Sequence, residues 1–383
     1  MSVAAAALPW ADRWRHHRDA LLASPHFQRW AAAFPLTRFI ARRRAAALFD
    51  LVAGFAYSQV LLACVRLDLF EMLFENPLTL EAIAQRCALP TAAAQRLLDA
   101  AVSLRLLERR SGQRYGLGAL GAPMVGQRAI KAMVEHHGAF YADLADPVAL
   151  LRGRGGGTAQ DTALSRQWRY AGHAQPHKLG DDEVAGYSAL MSDSQALVAD
   201  EILRAHDWRS HHCLLDVGGG AGTFLATALQ REPHLRGILF DLPAVVRRGA
   251  ALADDPQLGP RITRCGGDFL RDPLPRGADI ATLVRVVHDH DDAAVLGLLR
   301  AVRDALPPGG TLLIAEPMAG APGAARMGDA YFGLYLLAMG QGRARTPRAL
   351  EALLHAAGFV HMRLLRTALP LQVQVMSARR GSV

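Results

Sequence analysis

The chain has 383 residues, of which 51% are hydrophobic and 20% charged, and its formal net charge is +8. This composition predicts a folded protein with room for two domains and excludes a largely disordered chain. The four cysteines are scattered, with no C-x-x-C pair, which indicates a reducing compartment and neither a disulfide framework nor a structural metal. The N-terminal residues lack the order of a signal peptide, and no stretch reads as a transmembrane span, so we expect a cytoplasmic protein.

Residues 1–45 are predicted to form a basic arm. Tryptophan and phenylalanine side chains are interleaved with many of the chain's arginines here. Such a segment can lie on an anionic membrane surface, or it can be a solvated arm whose aromatic side chains pack on the body. Both interpretations stay open at this point.

Residues 46–185 are predicted to form an all-α, winged-helix domain. The most apolar stretch, Leu48–Val65, has helical spacing and contains polar residues, which favours a buried helix over a lipid-spanning one. Thr79 is expected to cap a later helix, and a hairpin over residues 109–117 would supply the wing.

Residues 186–383 are predicted to form an α/β domain. Five short apolar runs alternate with amphipathic helical stretches, and this alternation predicts a Rossmann-like parallel sheet with helices on both faces. The runs lie at residues 212–217, 237–242, 261–269, 279–287 and 310–317.

The first of these runs leads into a glycine turn, LLDVGGGAG. Gly218 and Gly220 let the backbone approach a ligand closely. The same pattern opens a dinucleotide fingerprint, but the third glycine of that fingerprint would fall at Thr223. Asp216 would repel a pyrophosphate and attract a cationic amino acid portion. These features favour S-adenosylmethionine over NAD, and a nicotinamide-dependent oxidoreductase is the alternative.

Two further acids end the next two strands. Asp241 lies roughly 20 residues past the glycine turn, where a carboxylate accepts hydrogen bonds from ribose hydroxyls. Asp268 can accept a hydrogen bond from the adenine amino group while Phe269 stacks on the ring. Three acids in this order strengthen the prediction of S-adenosylmethionine.

The motifs DVGGGAG, FDLP, GDF, HDHDD and PGGTLLIAEP, in this order, resemble the caffeic-acid/hydroxyindole type of O-methyltransferase family over about residues 46–380. The resemblance implies that the N-terminal domain dimerises and does not bind DNA. It implies that His288 is the general base, with Asp289 or a nearby acid orienting its ring and Glu316 flanking it. It also places Met191 against the adenine, and we assign Arg285 to the cofactor site.

Two stretches, MVEHHGAFYADL and DAYFGLYLLAMG, are rich in aromatic residues, and the resemblance implies that the second lines an acceptor pocket. The predicted acceptor contacts are His137, Tyr141, Tyr331, Tyr335 and Met339. His136-His137 could also bind a metal, but no third ligand is apparent, so we predict no metal site.

One catalytic position departs from the family. Where the family has a glutamate in a G-x-E-R-T segment, this chain reads GRART and has Ala344. This departure puts a phenolic acceptor in doubt, although not methyl transfer itself.

Several segments, among them YSALMSDSQALVADEIL, are more similar to the carotenoid O-methyltransferases of purple photosynthetic bacteria. That resemblance implies an acyclic carotenoid acceptor with a tertiary 1-hydroxyl, hydroxyneurosporene or demethylspheroidene, in spheroidene-type biosynthesis. Such an acceptor is dissolved in a bilayer, so we expect that the basic arm can contact the inner or photosynthetic membrane peripherally. A bacteriochlorophyll precursor, a quinone hydroxyl and a polyketide hydroxyl are the alternative acceptors.

A winged helix with a basic arm is also typical of DNA-binding regulators. The predicted recognition helix, TAAAQRLLDAAVSL, offers few groups for base edges and carries Asp99. We therefore predict a homodimeric enzyme with no nucleic acid partner.

Overall fold

The computed structural model of the chain describes residues 9–153, 162–167, 195, 198–249, 252 and 254–382. Contacts divide the chain into two compact units, Met1–Val125 and Gly126–Val383. The helix Arg128–Asp143, which the sequence analysis grouped with the N-terminal domain, therefore belongs to the second unit. The boundary predicted at residue 185 lies outside the described residues and stays a prediction.

The first unit consists of helices and a small antiparallel sheet ordered β1-β3-β2. Its elements are α1 (Trp10–Ala23), α2 (Pro25–Ala33), α3 (Arg38–Arg66), α4 (Leu69–Glu75), β1 (Leu78–Thr79), α5 (Leu80–Arg86), α6 (Thr91–Ser103), β2 (Leu107–Arg110) and β3 (Arg114–Leu117). The β2–β3 hairpin confirms the predicted wing, and it adds strands to a domain that was expected to be all-α. Thr79 caps α5 as predicted, since its Oγ accepts a hydrogen bond from the Ala82 amide at 3.4 Å.

The expected burial of Leu48–Val65 is wrong for the single chain. Helix α3 buries only Cys64 and Val65, and Leu51 is 81% exposed. Among the described helices, α3 alone is long and apolar enough to cross a membrane by length and composition. An apolar face this exposed in one chain is typical of an interaction surface.

The second unit is built on a seven-stranded sheet ordered β6-β5-β4-β7-β8-β10-β9. The first five of these strands are parallel, and β10 lies antiparallel between β8 and β9. The strands are β4 (Cys213–Val217), β5 (Arg236–Asp241), β6 (Ile262–Gly266), β7 (Ile280–Val284), β8 (Thr311–Glu316), β9 (Phe359–Leu365) and β10 (Gln374–Arg380). The five parallel strands match the five predicted runs. Strands β9 and β10 were not predicted. Strand β9 is mostly exposed and lacks the continuous apolar run of a central strand.

Helices cover both faces of this sheet, as predicted. Leu215 and Val217 of β4 point into one core, and the preceding residue Leu214 points into the other. The described helices of this unit are α7 (Arg128–Asp143), α8 (Pro147–Leu151), α9 (Ala163–Gln167), α10 (198–205), α11 (Thr223–Arg231), α12 (Pro243–Arg248), α13 (Asp292–Ala305), α14 (Phe332–Met339) and α15 (Pro347–Ala356). The strand order reverses between β4 and β7, so the carboxyl ends of these strands border a crevice.

Candidate active site

The glycine turn joins β4 to α11 and lies against the ends of the neighbouring strands. Gly218 and Gly220 have φ values of +67° and +64°, in the left-handed region that favours glycine. The carboxylate of Asp241, at the end of β5, accepts a hydrogen bond from the Gly220 amide at 2.7 Å. A Cβ atom on Gly218 would lie 3.6 Å from the Phe269 ring. The structure therefore brings together the turn, the acid after it and the predicted stacking ring.

Asp216 is the buried acid beside this turn. Its Oδ1 accepts a hydrogen bond from Thr282 Oγ1 at 2.7 Å, and its Oδ2 has no hydrogen-bond partner among the described residues. Burial raises the pKa of Asp216 to about 7 and the pKa of Asp241 to about 6. A carboxylate with one unpartnered oxygen in a buried site suits a cationic ligand group, which would stabilise its charged form.

Phe269, shortly after the end of β6, lies near both the glycine turn and the loop after β7. Asp268 is buried, and its Oδ1 accepts a hydrogen bond from the Leu270 amide at 3.0 Å. The Phe269 ring packs edge-on against His290, with centroids 5.4 Å apart. Phe269, next to the buried Asp268, thus lies between the glycine turn and the predicted catalytic loop. Met191 lies outside the described residues, and its contact with adenine stays a prediction.

His288 follows β7 in a short helical turn and is 5% exposed. Its Nδ1 is hydrogen-bonded to Glu316 Oε2, and Glu316 Oε1 accepts hydrogen bonds from the amides of Val286 and Val287. Asp289 Oδ1 lies 3.1 Å from Nε2 without the geometry of a hydrogen bond. Because a carboxylate only accepts, Glu316 holds the proton on Nδ1 and leaves Nε2 as the basic nitrogen of the neutral ring.

Charge around this histidine makes it more basic. Burial by itself lowers the pKa of His288, but the carboxylates of Asp289 and Glu316 outweigh burial, and its pKa is raised. Burial raises the pKa of Asp289 to about 6. Arg285, in a left-handed conformation with φ of +59°, lowers both pKa values through its positive charge. Arg285 therefore lies among the catalytic groups, and its assignment to the cofactor site stays a prediction.

Arg345, which was not among the predicted site residues, holds the loop of His288 in place. This arginine is 5% exposed, and it donates hydrogen bonds to the carbonyls of Val287 and His290, both at 2.7 Å. Its Nε also donates to Asp292 Oδ1, at 2.9 Å. Position 345 directly follows the departure at Ala344, but nothing in the local pattern separates a buried arginine from an exposed one.

A wall of aromatic side chains from α7, α14 and Tyr331, the residue just before α14, adjoins the base. Phe332 packs edge-on against His288, with ring centroids 5.7 Å apart, and the ring centroids of Tyr331 and Phe332 are 5.0 Å apart. Tyr331 is hydrogen-bonded to His137 Nε2 at 2.7 Å, and Tyr335 is hydrogen-bonded to His136 Nε2 at 2.8 Å. Three predicted acceptor contacts, His137, Tyr331 and Tyr335, therefore lie in one network.

These paired side chains are neutral near pH 7. Burial lowers the pKa of His137 to about 4 and also lowers the pKa of His136. Burial raises the pKa values of Tyr331 and Tyr335. Each of these four side chains has a hydrogen-bond partner within the wall, so the wall presents mainly ring surface to a ligand.

The remaining predicted residues lie on the same helices. Met339 is buried in the cluster formed by Phe140 and Tyr335, and Ala344 packs against that cluster. An apolar side chain thus occupies the position where the family has a carboxylate. Tyr141 follows Phe140 on α7, about 100° further round the helix, and stays a predicted acceptor contact.

Known proteins share both units of this chain. The O-methyltransferase domain family matches residues 141–360, and the O-methyltransferase dimerisation domain matches residues 49–126. The demethylspheroidene O-methyltransferase of Cereibacter sphaeroides is 40% identical over 94% of this chain and 94% of its own length. The Rhodobacter capsulatus enzyme of the same name is 40% identical over 91% of this chain and 85% of its own length. Human N-acetylserotonin methyltransferase, solved in complex with SAM, has a TM-score of 0.71 at 26% identity, covering 88% of this chain and 98% of its own.

The chain belongs to the O-methyltransferase family, and it is an O-methyltransferase with the family's dimerisation domain. This assignment replaces the oxidoreductase and DNA-binding alternatives. It also gives a reason for the exposed apolar face of α3, since the dimerisation match begins at residue 49, inside that helix.

Proposed function

We propose that the enzyme transfers the methyl group of S-adenosylmethionine to the tertiary 1-hydroxyl of an acyclic carotenoid, hydroxyneurosporene or demethylspheroidene. The observation that carries this proposal is the 40% identity, over nearly the whole chain, to two demethylspheroidene O-methyltransferases. The aromatic wall supports it, because paired neutral histidines and tyrosines suit an uncharged, apolar acceptor.

The residues at the glycine turn fit S-adenosylmethionine. When bound, this cofactor supplies an electrophilic methyl group on a sulfonium. In this proposal Asp216, whose Oδ2 has no partner among the described residues, receives the cationic amino acid portion, Asp241 receives the ribose hydroxyls, and Asp268 with Phe269 receives the adenine. Gly218 leaves no room for a Cβ atom, which would lie 2.8 Å from Val286, whereas a Cβ atom on Gly220 would meet no described atom within 4 Å, so the backbone there is open to a ligand.

His288 takes the proton that the acceptor oxygen loses. Glu316 holds Nδ1 protonated, so Nε2 accepts this proton and the imidazolium is stabilised between Glu316 and Asp289. Asp289 thus supplies a second carboxylate beside the base, although position 344 has none. A tertiary alcohol is a very weak acid, so the proton leaves late, in concert with methyl transfer to the oxygen.

We also propose that the enzyme is a cytoplasmic homodimer that associates peripherally with the membrane holding its acceptor. The matched dimerisation domain supports the homodimer, and the exposed basic and aromatic N-terminal helices support membrane association.

The direct test incubates the purified enzyme with methyl-labelled S-adenosylmethionine and a panel of detergent-solubilised acceptors. The panel contains hydroxyneurosporene, demethylspheroidene, a catechol, a quinol, a polyketide phenol and a bacteriochlorophyll precursor. We expect label on the two carotenoids, at the 1-oxygen by mass spectrometry. Label on the phenols or the chlorin alone would overturn the carotenoid assignment while leaving methyl transfer intact.

A further inference from the structure

The first forty or so described residues form a helical surface that the family's dimerisation domain does not include. Helices α1 and α2 and the first turns of α3 precede residue 49, where the dimerisation match begins. Helix α1 has no buried residue, and α2 buries only Ala31. Helix α1 contacts α2, and α2 contacts α3, so these helices form one connected surface.

Large apolar side chains on this surface are exposed to water. Trp10, Trp14 and Trp30 are 81%, 61% and 52% exposed. Trp10 and Trp14 are four residues apart and so share a face of α1. Trp30 stacks on Phe34 with ring centroids 5.0 Å apart. Further exposed apolar residues on this surface are Leu21, Leu36, Phe39 and Ile40.

The same surface is strongly basic. Residues 9–48 contain eight arginines and two aspartates, and every one of these arginines is exposed. Arg42, Arg43 and Arg44 are consecutive on α3, and Arg18 lies over the Trp14 ring, 5.9 Å from its centroid. Tryptophan with arginine on one helical surface is typical of segments that lie in the interface of an anionic bilayer.

We propose that α1, α2 and the first turns of α3 bind the surface of an anionic lipid bilayer, with Trp10, Trp14 and Trp30 inserted at the headgroup level. A second copy of the chain is a poorer occupant, because a two-fold contact would place this basic surface against itself. A nucleic acid would match the charge but would leave the exposed apolar rings without an apolar environment. This proposal deepens the proposed function, since a carotenoid acceptor is collected from a bilayer, but its test measures lipid binding and not methyl transfer.

The test is flotation of the purified full-length enzyme with vesicles of phosphatidylglycerol and phosphatidylcholine, compared with vesicles of phosphatidylcholine alone. We expect binding to the mixed vesicles, at least about tenfold weaker binding to the neutral ones, and weakening by salt. Replacing Arg42, Arg43 and Arg44 by Gln should weaken binding by about a hundredfold, since each arginine near an anionic surface contributes roughly a factor of five. The matched control replaces Arg300, Arg363 and Arg366, three exposed arginines of the second unit, and should bind like the wild type.

A second variant tests insertion separately from charge. Replacing Trp10, Trp14 and Trp30 by Ala should weaken vesicle binding at least about tenfold, while replacing the exposed Leu369 and Leu371 should not. Stabilisation of each variant by S-adenosylmethionine in a thermal melt shows whether it is folded, and transfer to a detergent-solubilised carotenoid is measured in parallel. Vesicle binding without transfer would refute the proposed function alone.

Three results would overturn the lipid proposal. The first is absence of wild-type binding to anionic vesicles, and the second is unchanged binding of the arginine and tryptophan variants. The third is a different occupant: binding to duplex DNA without vesicle binding, or a loss of dimer mass in the tryptophan variant without vesicle binding by the wild type.

Discussion

The base and the acceptor wall adjoin each other but are built in opposite ways. The loop carrying His288 is surrounded by charge, with Glu316, Asp289, Arg285 and Arg345 within reach of it. The aromatic wall contacts the same histidine through Phe332, and its two histidines are neutral and each is hydrogen-bonded to a tyrosine. Charge thus tunes and positions the proton acceptor, whereas the wall supplies shape and apolar surface. Substitutions on the loop should therefore change kcat, and substitutions on the wall should change acceptor KM.

The largest effect is expected for His288→Ala. Removing the proton acceptor should lower kcat by about 10²-fold to 10⁴-fold, since general-base catalysis contributes that much. The measurement is single-turnover methyl transfer, with S-adenosylmethionine affinity from a thermal shift as a check on folding. His355→Ala is the control, because His355 is exposed on α15. Near-normal turnover of His288→Ala with normal cofactor binding would refute the general-base role.

Glu316→Gln tests whether the charge of Glu316 tunes the base, by its effect on the pH dependence of the rate. The wild-type rate should rise with pH, because His288 acts as a base only when neutral and its pKa is raised. Glutamine carries no charge to stabilise the imidazolium, so the pKa of His288 falls and the rising limb should move to lower pH. We expect kcat to fall by about 10²-fold. An unmoved pH profile would show that Glu316 does not tune the base.

Arg345→Met tests whether the loop is held in place from behind. Two loop carbonyls would lose buried donors, so the free energy of unfolding should fall by about 2–4 kcal/mol. With the loop less ordered, kcat should fall about tenfold while the KM for S-adenosylmethionine stays unchanged. Arg343→Met is the matched control, because the exposed Arg343 side chain pairs with the same Asp292 and should cost less than about 1 kcal/mol. Equal loss of kcat in both variants would contradict a positioning role for Arg345.

Tyr331→Phe should have the smallest effect and should appear in acceptor KM. The change keeps the ring but leaves the half-buried His137 Nε2 without its tyrosine partner, at a cost of about 1 kcal/mol in stability. Acceptor KM should rise about threefold to tenfold, with kcat nearly unchanged. A double-mutant cycle with His137→Ala should show coupling of about 1 kcal/mol. A large loss of kcat in Tyr331→Phe would place this tyrosine in the catalytic machinery and end the division between loop and wall.

The cofactor part of the site could largely be predicted from the sequence, because its acidic residues follow the ends of successive strands in a fixed order. A parallel sheet brings the carboxyl ends of its strands to one edge, so Asp216, Asp241 and Asp268 had to lie near the glycine turn. The link from His288 to Glu316 rested on the family resemblance and is seen in the structure as a direct contact.

Other features depend on contacts between residues far apart in the chain. The pairing of His137 with Tyr331 joins α7 to the start of α14, and no local pattern encodes which residues meet across two helices. The burial of Arg345 and the exposure of α3 likewise follow from packing, since an arginine is ordinarily exposed and an apolar helix ordinarily buried.

The sequence by itself determined the five parallel strands, the glycine turn, the order of the acids and, through the family resemblance, the class of reaction, because each follows from short-range spacing or motif order. Only the tertiary structure decided which carboxylate meets which nitrogen of His288, that Asp289 lies beside the base while Ala344 packs in the aromatic cluster, and which arginine holds the loop. The physical reason is that hydrogen bonds and ion pairs form at distances near 3 Å. Which atoms come that close depends on how helices and strands pack, and sequence spacing does not specify it.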